Sequence, residues 1–291
     1  MALSGGADSV FLAHFLKKLN CENVVVAHFS HQIRDEKTTE FEKKFCENLA
    51  KKFNWKFENE KWETPQKSEE KARAARFAFL RKIKIKNSAR AILLAHHRDD
   101  RVETIFQNFL RGAGLRGIAA MKIFDGEIFR PLLNFSKKEI LKFCENSRIK
   151  FCRDATNFDE NFAKRNFLRL KILPKLREKF ENCENSILRF SEICGDFENF
   201  FDEFFDEKIS KIKNQNGGFS RFEFSKLSKF ARGEFLRRIF APRFFSFSQI
   251  SQIDDFLKNG KSAKKKIFKN LEIKIFGEYF FVNFLDEKKP R

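Results

Sequence analysis

The chain has 291 residues, 42% of them hydrophobic and 34% charged, with 59 Lys and Arg against 40 Asp and Glu for a formal charge of +19. That length holds one large domain or two ordinary ones, and the apolar share suits a packed core rather than a disordered chain. An excess of +19 opposes compaction by self-repulsion and points to a polyanionic partner, with a merely basic, solvated surface as the plainer alternative. No apolar run has the length of a membrane span and no charged-then-apolar leader opens the chain, so a cytoplasmic protein without a membrane partner is expected.

In chain order, Ser4, Gly5, Gly6, Ala7, Asp8 and Ser9 precede a run in which Val10, Phe11, Leu12, Phe15, Leu16 and Leu19 share one helix face. Only Met1, Ala2 and Leu3 stand before them, so the expected first strand is either stunted or continued by residues before Met1. Val24, Val25, Val26 and Ala27 read as a buried strand. Residues 36–54 place Phe41, Phe45, Leu49 and Phe53 on one face of an amphipathic helix. A strand around 56–58, a helix over 68–83 with Ala72, Ala75, Phe79 and Leu80 inward, and an apolar strand over 91–95 follow. Such alternation predicts a parallel sheet covered by helices on both faces, with ligands at the carboxyl ends of its strands. Ser4, His28, His31, His96, Asp99 and Asp100 should gather at that edge.

Further on, Ser136 to Glu139 form a capping box before a helix over 140–145, and Pro174 interrupts a helical pattern. A long helix is expected over 175–213. Asn214, Gln215, Asn216, Gly217 and Gly218 read as a linker, and a small α+β unit follows, with a helix over 250–257, a stop at Gly260 and a hairpin turning near Gly277. The six cysteines, Cys21, Cys46, Cys144, Cys152, Cys183 and Cys194, make no CxxC pair and no zinc spacing, so buried, reduced thiols are expected. Phe stands at 41 against one Tyr; together with abundant Lys, Ile and Asn this reads as coding bias, with most rings in the core.

Two clusters carry chemistry. The glycine pair lets main-chain N–H groups approach a ligand, and Asp8 and Ser9 open a helix whose dipole favours an anion such as phosphate. An ordinary capped turn is the alternative, and the Walker pattern is absent. His96, His97, Arg98, Asp99, Asp100, Arg101, Val102, Glu103 and Thr104 follow a strand and enter a helix. Asp99 and Glu103, four residues apart, suit either a solvated face or carboxylates that hold Mg²⁺ beside phosphates. The glycines at 112, 114 and 117 match G-x-G-x-x-G, but a helix precedes them, so a dinucleotide site is rejected in favour of a helix end and loop whose Arg111 and Arg116 face phosphate.

The SGGADS string resembles the pyrophosphate loop of the N-type ATP pyrophosphatases. AHFSHQIR (27–34), ARAARFAFL (72–80), LLAHHRDDRVETIFQNFLRGAGLRGIAAM (93–121), FRPLL (129–133) and RDATNFDENFAKRNFLRLKILPKL (153–176) resemble, in order, blocks of the tRNA(Ile)-lysidine synthetase family. The resemblance implies an α/β PP-loop catalytic domain over 1–176, a helical connection and linker over 177–218, and a small α+β tRNA-binding domain over 219–291. It implies a C–N ligase. ATP adenylates O2 of the wobble cytidine of an isoleucine tRNA with a CAU anticodon, and the ε-amine of free L-lysine then attacks C2 and displaces AMP.

On that resemblance, Ser4, Gly5, Gly6, Ala7, Asp8 and Ser9 hold the leaving pyrophosphate, and Asp8 and Asp100 hold Mg²⁺. His96 and Asp99 serve as base or orient the lysine, since an amine that ionises near ~10.4 must lose its proton to attack. Arg111, Gly112 and Gly114 bind lysine or the flipped base. Arg165, Asn166 and Arg169 share one helix face suited to tRNA phosphates, or to plain solvent. A homodimer is compatible with these readings. A PP-loop tRNA thiolase, a small-molecule amidating ligase and a non-catalytic RNA-binding protein with a degenerate nucleotide site remain alternatives. The missing CxxC counts against the first, and the charge against the second.

Overall fold

The computed structural model describes residues 1–32, 35–63, 68–119, 121–152, 164–241, 243, 245–268 and 270–285. The chain divides into two compact units, 1–196 and 197–291.

The first unit is a parallel sheet with helices. Strand β1 (Val25–Ser30) pairs in parallel with β2 (Lys56–Lys61), and β3 (Ile92–Leu93) with β4 (Ile128–Phe129). Residues 1–3 join the two pairs. Leu3 N–H donates to Ala27 O at 3.0 Å, Ala27 N–H to Met1 O at 2.8 Å, and Ala2 N–H to Leu93 O at 2.9 Å. Residues 1–3 thus lie between β1 and β3 and bond to both. Helices α1 (Ala7–Lys18), α2 (Glu36–Phe53), α3 (Glu69–Lys86) and α4 (Arg98–Leu110) alternate with the strands, followed by α5 (Leu115–Ile118) and α6 (Lys137–Asn146). Val10, Leu12, Leu16, Val26, Leu49, Phe53 and Ile140 form one core under α1, and Phe79, Leu80, Ile83, Ile92 and Leu94 form another under α3.

Among the described residues β2 pairs only with β1. Its outward row is charged and tied to α3: Lys82 Nζ reaches Glu60 at 2.7 Å, Lys86 Nζ reaches Glu58 at 2.9 Å, and Lys56 Nζ donates to Asn87 Oδ1 at 2.7 Å.

The helix expected over 175–213 is broken in two. A helical turn α7 (Lys164–Phe167) passes through a π-helical turn (Leu168–Ile172) into α8 (Leu173–Lys179), and α9 (Cys183–Ile212) starts afresh. Pro174 follows the π-helical turn and does not end the helical path; the break falls at extended Phe180 and left-handed Asn182, φ 58°. In the resemblance block over 153–176, residues 153–163 lie outside the described residues, as do Ile33 and Arg34.

In the second unit, β5 (Phe219–Ser220), β6 (Lys265–Phe268), β7 (Leu271–Phe276) and β8 (Tyr279–Phe284) form an antiparallel sheet of order β5-β8-β7-β6. The hairpin turns at Gly277, whose φ of 58° suits a residue without Cβ. Helices α10 (Arg221–Ser225), α11 (Lys229–Phe240) and α12 (Phe247–Asn259) cover it. The core centres on Phe205, Phe224, Phe235, Phe240 and Phe280. Asn214 to Gly218 close a turn inside this unit: Gly218 N–H donates to Asn214 Oδ1 at 2.8 Å.

The expectation that most Phe residues are core does not hold. More of them stand exposed than buried among the described residues, Phe41, Phe247 and Phe276 included, while others such as Phe15, Phe135 and Phe201 pack half-buried at the margins of the cores.

Candidate nucleotide-binding and catalytic site

The phosphate-type loop forms where the central strand ends. Gly5 adopts φ 87°, and its carbonyl accepts the Cys152 N–H at 2.9 Å. A Cβ there would lie 3.2 Å from Cys152 Sγ, so this position requires glycine for both conformation and space. Ser9 fastens the loop from behind: its Oγ donates to Gly6 O at 3.0 Å and accepts the Ser4 N–H at 3.2 Å. Gly6 is the N-cap of α1 and supplies no side-chain acceptor, which leaves the first N–H groups of α1 for a ligand.

Opposite the loop stands the start of α4. His97 is its N-cap, and a reciprocal box closes it: Asp100 N–H donates to His97 Nδ1 at 3.4 Å, while His97 N–H donates to Asp100 Oδ2 at 3.0 Å. The His97 ring is buried among three carboxylates, with Nε2 3.4 Å from Asp100 and 3.8 Å from Asp8, and Nδ1 3.7 Å from Asp99. Asp8 and Asp100 thus flank one ring nitrogen. His96, the residue expected here, points into a different set. Its Nδ1 is buried without a hydrogen-bond partner, and burial, reinforced by the charges of Arg76, Arg130 and Arg165, lowers its pKa to about 3. His96 is therefore neutral.

The carboxylates are held by cations. Lys137, the first residue of α6, donates its main-chain N–H to Asp99 Oδ2 at 2.8 Å and its ammonium to Asp8 Oδ1 at 2.6 Å. Asp99 also meets Arg177 at 3.3 Å. Arg165 Nη2 reaches Asp100 at 2.5 Å and its Nε reaches Glu103 at 2.5 Å; Arg169 Nε reaches Glu103 at 2.6 Å. Burial alone would raise the Asp100 carboxyl, but the fields of His97 and Arg165 outweigh it and hold it below the usual carboxylate value. Its hydrogen bonds to Glu103 raise the Arg169 guanidinium above its ordinary value.

The structure thus gathers Ser4, Gly5, Gly6, Ala7, Asp8, Ser9, His96, Asp99, Asp100, Arg165 and Arg169 around one centre. Arg165 and Arg169 turn inward onto carboxylates instead of presenting a free basic face, and Asn166 beside them is buried. Glu103, only 1% exposed, is no solvated surface residue. Arg111, Gly112 and Gly114 are elsewhere. They follow the far end of α4, about 17 Å along the helix axis from Asp100 at 1.5 Å per residue. His28 lies within β1, with Nδ1 2.9 Å from Leu3 O, where it braces the central strand.

Sequence reasoning missed Lys137, Arg76 and Arg130, gave His97 no role of its own within its cluster, and left Glu103 between a solvated face and a metal ligand. Burial lowers the Arg76 guanidinium to about 10, and its Nε has no partner. Arg130 is buried, donates to Asp125 at 3.0 Å and Lys122 O at 2.8 Å, and keeps its own Nε unpaired. The available signal was an arginine on the inner, apolar face of α3, and another among the apolar residues after β4.

For Mg²⁺, Asp8 and Asp100 offer hard oxygen donors that both approach His97 Nε2, which fits a cation that takes one or two carboxylates and completes its shell with phosphates. Among the described residues no group of three or more His, Cys, Asp or Glu side chains makes a protein-only metal site. The phosphates would have to be part of the shell.

Residues 1–176 match the family model described as a PP-loop domain, and the chain belongs to that family. Within it, the chain is 31% identical over 282 residues to the tRNA(Ile)-lysidine synthase of Bacteroides thetaiotaomicron, covering 94% of this chain and 64% of that protein. It is 38% identical over 202 residues to the tRNA(Ile)-lysidine synthase of Pseudothermotoga lettingae, covering 66% of this chain and 44% of that protein. The chain thus spans about half to two thirds of the length of these relatives. The U34-tRNA thiolase NcsA from Methanococcus maripaludis, solved with its [4Fe-4S] cluster, superposes with a TM-score of 0.54 at 16% identity, over 67% of this chain and 70% of that one, a likeness of fold. Among the described residues, no helix is long and apolar enough to cross a membrane.

Proposed function

We propose that the chain joins free L-lysine to the wobble cytidine of an isoleucine tRNA with a CAU anticodon, at the expense of ATP. The observation that carries this is the convergence of the glycine loop, Asp8, Asp100 and the buried His97 in a chain 31–38% identical to two lysidine synthases.

Each part has a task. The α1 N-terminus and Ser4 hold the pyrophosphate that leaves when O2 of the cytosine attacks the α-phosphorus. Mg²⁺ held by Asp8 and Asp100 would supply further positive charge to that leaving group. Lys137, paired with Asp8 in the free protein, has its ammonium where the terminal phosphate would arrive. In the second step the ε-amine must be neutral. With a pKa near 3, His96 cannot store the proton at neutral pH, so it orients the amine as an acceptor through Nδ1. Arg76, Arg130 and Arg165 lower His96 by their charge, and the same field disfavours an ammonium beside it. The loop of Arg111, Gly112 and Gly114, distant from these atoms, is assigned to RNA contact only. The basic second unit, with Lys261, Lys264, Lys265 and Lys266, is assigned to tRNA phosphates.

The test is incubation of purified protein with ATP, labelled lysine and total tRNA, followed by nucleoside analysis. Lysine label in a modified cytidine is expected. Sulfur incorporation would place the chain with the thiolases, a reading that its six free cysteines, three of them buried, do not favour.

A further inference from the structure

The first unit holds a second concave site, apart from the carboxylate centre. Between α4 and α9 lies a cleft of about 250 Å³ whose polar lining is Arg98, Arg101, Asn134, Asn185, Arg189 and Glu192. Arg98 and Arg101 stand one turn apart on α4, and Arg189 faces them from α9, one turn beyond Asn185 and one before Glu192. Three guanidiniums thus surround the space, with one carboxylate among them.

Their partners do not neutralise them. Arg98 Nη2 donates to the uncharged Asn185 Oδ1. Arg101 Nη1 meets Glu192 at 3.2 Å, but that carboxylate is 62% exposed and screened by water. Arg101 Nε is buried with no hydrogen-bond partner, which costs free energy unless a ligand accepts it. Arg189 has no hydrogen bond or ion pair among the described residues. Like charges around a void repel, and an anion inside it removes both the repulsion and the orphaned donor. The planar fork of arginine matches phosphate oxygens, and at about 30 Å³ per water the cleft has room for one such group with its hydration.

We infer that this cleft seats a backbone phosphodiester of the RNA substrate. The inference rests on the tRNA reading above and adds a site to it. Arg98 opens the same helix that carries Asp99 and Asp100, so the cleft and the carboxylate centre share one rigid element. Fixing the phosphodiester in the cleft would orient a cytosine that has left its stack.

The test uses the full chain and an unmodified tRNA transcript, with binding measured over a series of salt concentrations. Arg101→Gln/Arg189→Gln should weaken binding about tenfold at physiological salt and flatten the slope of log affinity on log salt by about two units. Arg189→Gln alone, at an exposed position, should flatten it by about one and serves if the double variant fails to fold. Arg101→Lys should keep the slope and still lose several-fold in affinity, because charge remains and the fork is lost. Lys18→Gln, in the last turn of α1, is the charge-matched control for Arg189→Gln and should leave the slope unchanged. Equal affinity and slope for wild type and double variant would overturn the inference. Inorganic phosphate that competes with tRNA more than chloride of equal ionic strength, in wild type and not in the variant, would make the cleft a free-phosphate site and overturn the RNA assignment. No tRNA binding by wild type would overturn the functional reading itself.

Discussion

Two buried charge clusters, one in each unit, are built in opposite ways. In the second, Arg232 and Asp254 meet in a bidentate pair at 2.6 and 2.9 Å, and Nη1 of Arg232 donates to Leu227 O at 2.7 Å. Each of the three guanidinium nitrogens has a partner within the unit. In the first, Asp8, Asp100 and Glu103 run into His97, Lys137, Arg165 and Arg169 as an open network, and Nδ1 of His96 and Nε of Arg76 and Arg130 have no partner. A closed pair fixes packing, whereas an open network reserves space for charges that arrive with substrate.

Breaking each arrangement should give different losses. Asp8→Ala, at a partly exposed position, should cut ATP-dependent pyrophosphate release about a thousandfold with the melting curve unchanged; wild-type turnover would remove Asp8 from the site. Asp254→Ala should instead cost about 3–5 kcal/mol of stability by stranding a buried guanidinium. The paired change Arg232→Met/Asp254→Leu should recover most of it in denaturant titrations. A comparable loss from both would contradict the closed-pair reading.

Lys137→Met should raise KM for ATP about tenfold, and Lys137→Arg should restore part of it, if the ammonium serves the phosphates rather than only Asp8. The pH dependence sharpens the contrast further. His96 is lowered from 6.5 to about 3 in the folded state, so the unfolded chain binds the extra proton between those values. Stability is lost as pH falls through that window, by at most about 2 kcal/mol at pH 5, and His96→Gln should flatten that limb. The smallest effect expected is Arg111→Ala, with less than about threefold change in pyrophosphate release at saturating tRNA, given its distance from Asp100.

The strand and helix order was legible because apolar periodicity and caps such as Ser136 and Glu139 are local signals. The loop was legible because only glycine tolerates Gly5's geometry. What could not be read was direction. His96 and His97 are neighbours at a strand end, and nothing in their spacing tells which becomes the helix cap among carboxylates. Arg165 and Arg169 have the spacing of a basic face, but that face turns inward because Glu103, one turn beyond Asp99, is buried. Lys137 sat inside a capping box and read as a helix start, although its ammonium reaches Asp8. Likewise the turn at Asn214 to Gly218 read as a linker, yet Phe205 and Ile212 before it belong to the same core as Phe219 after it. A cut at Gly218 would divide that core, so the RNA role of the second unit is better tested by charge reversal at Lys264, Lys265 and Lys266.

The charged outer row of β2 has a consequence for how molecules of this chain meet one another. An open strand edge presents unpaired N–H and C=O groups that invite a second strand, and self-association by that route leads to open-ended aggregates. Lys56, Glu58 and Glu60 share the face of β2 that α3 covers and pair with that helix or its cap, so a strand added at the edge would lie beside a charged row rather than an apolar one. The charge beside this border makes it a poor template for a second copy of the strand, in a chain that exposes many phenylalanines elsewhere.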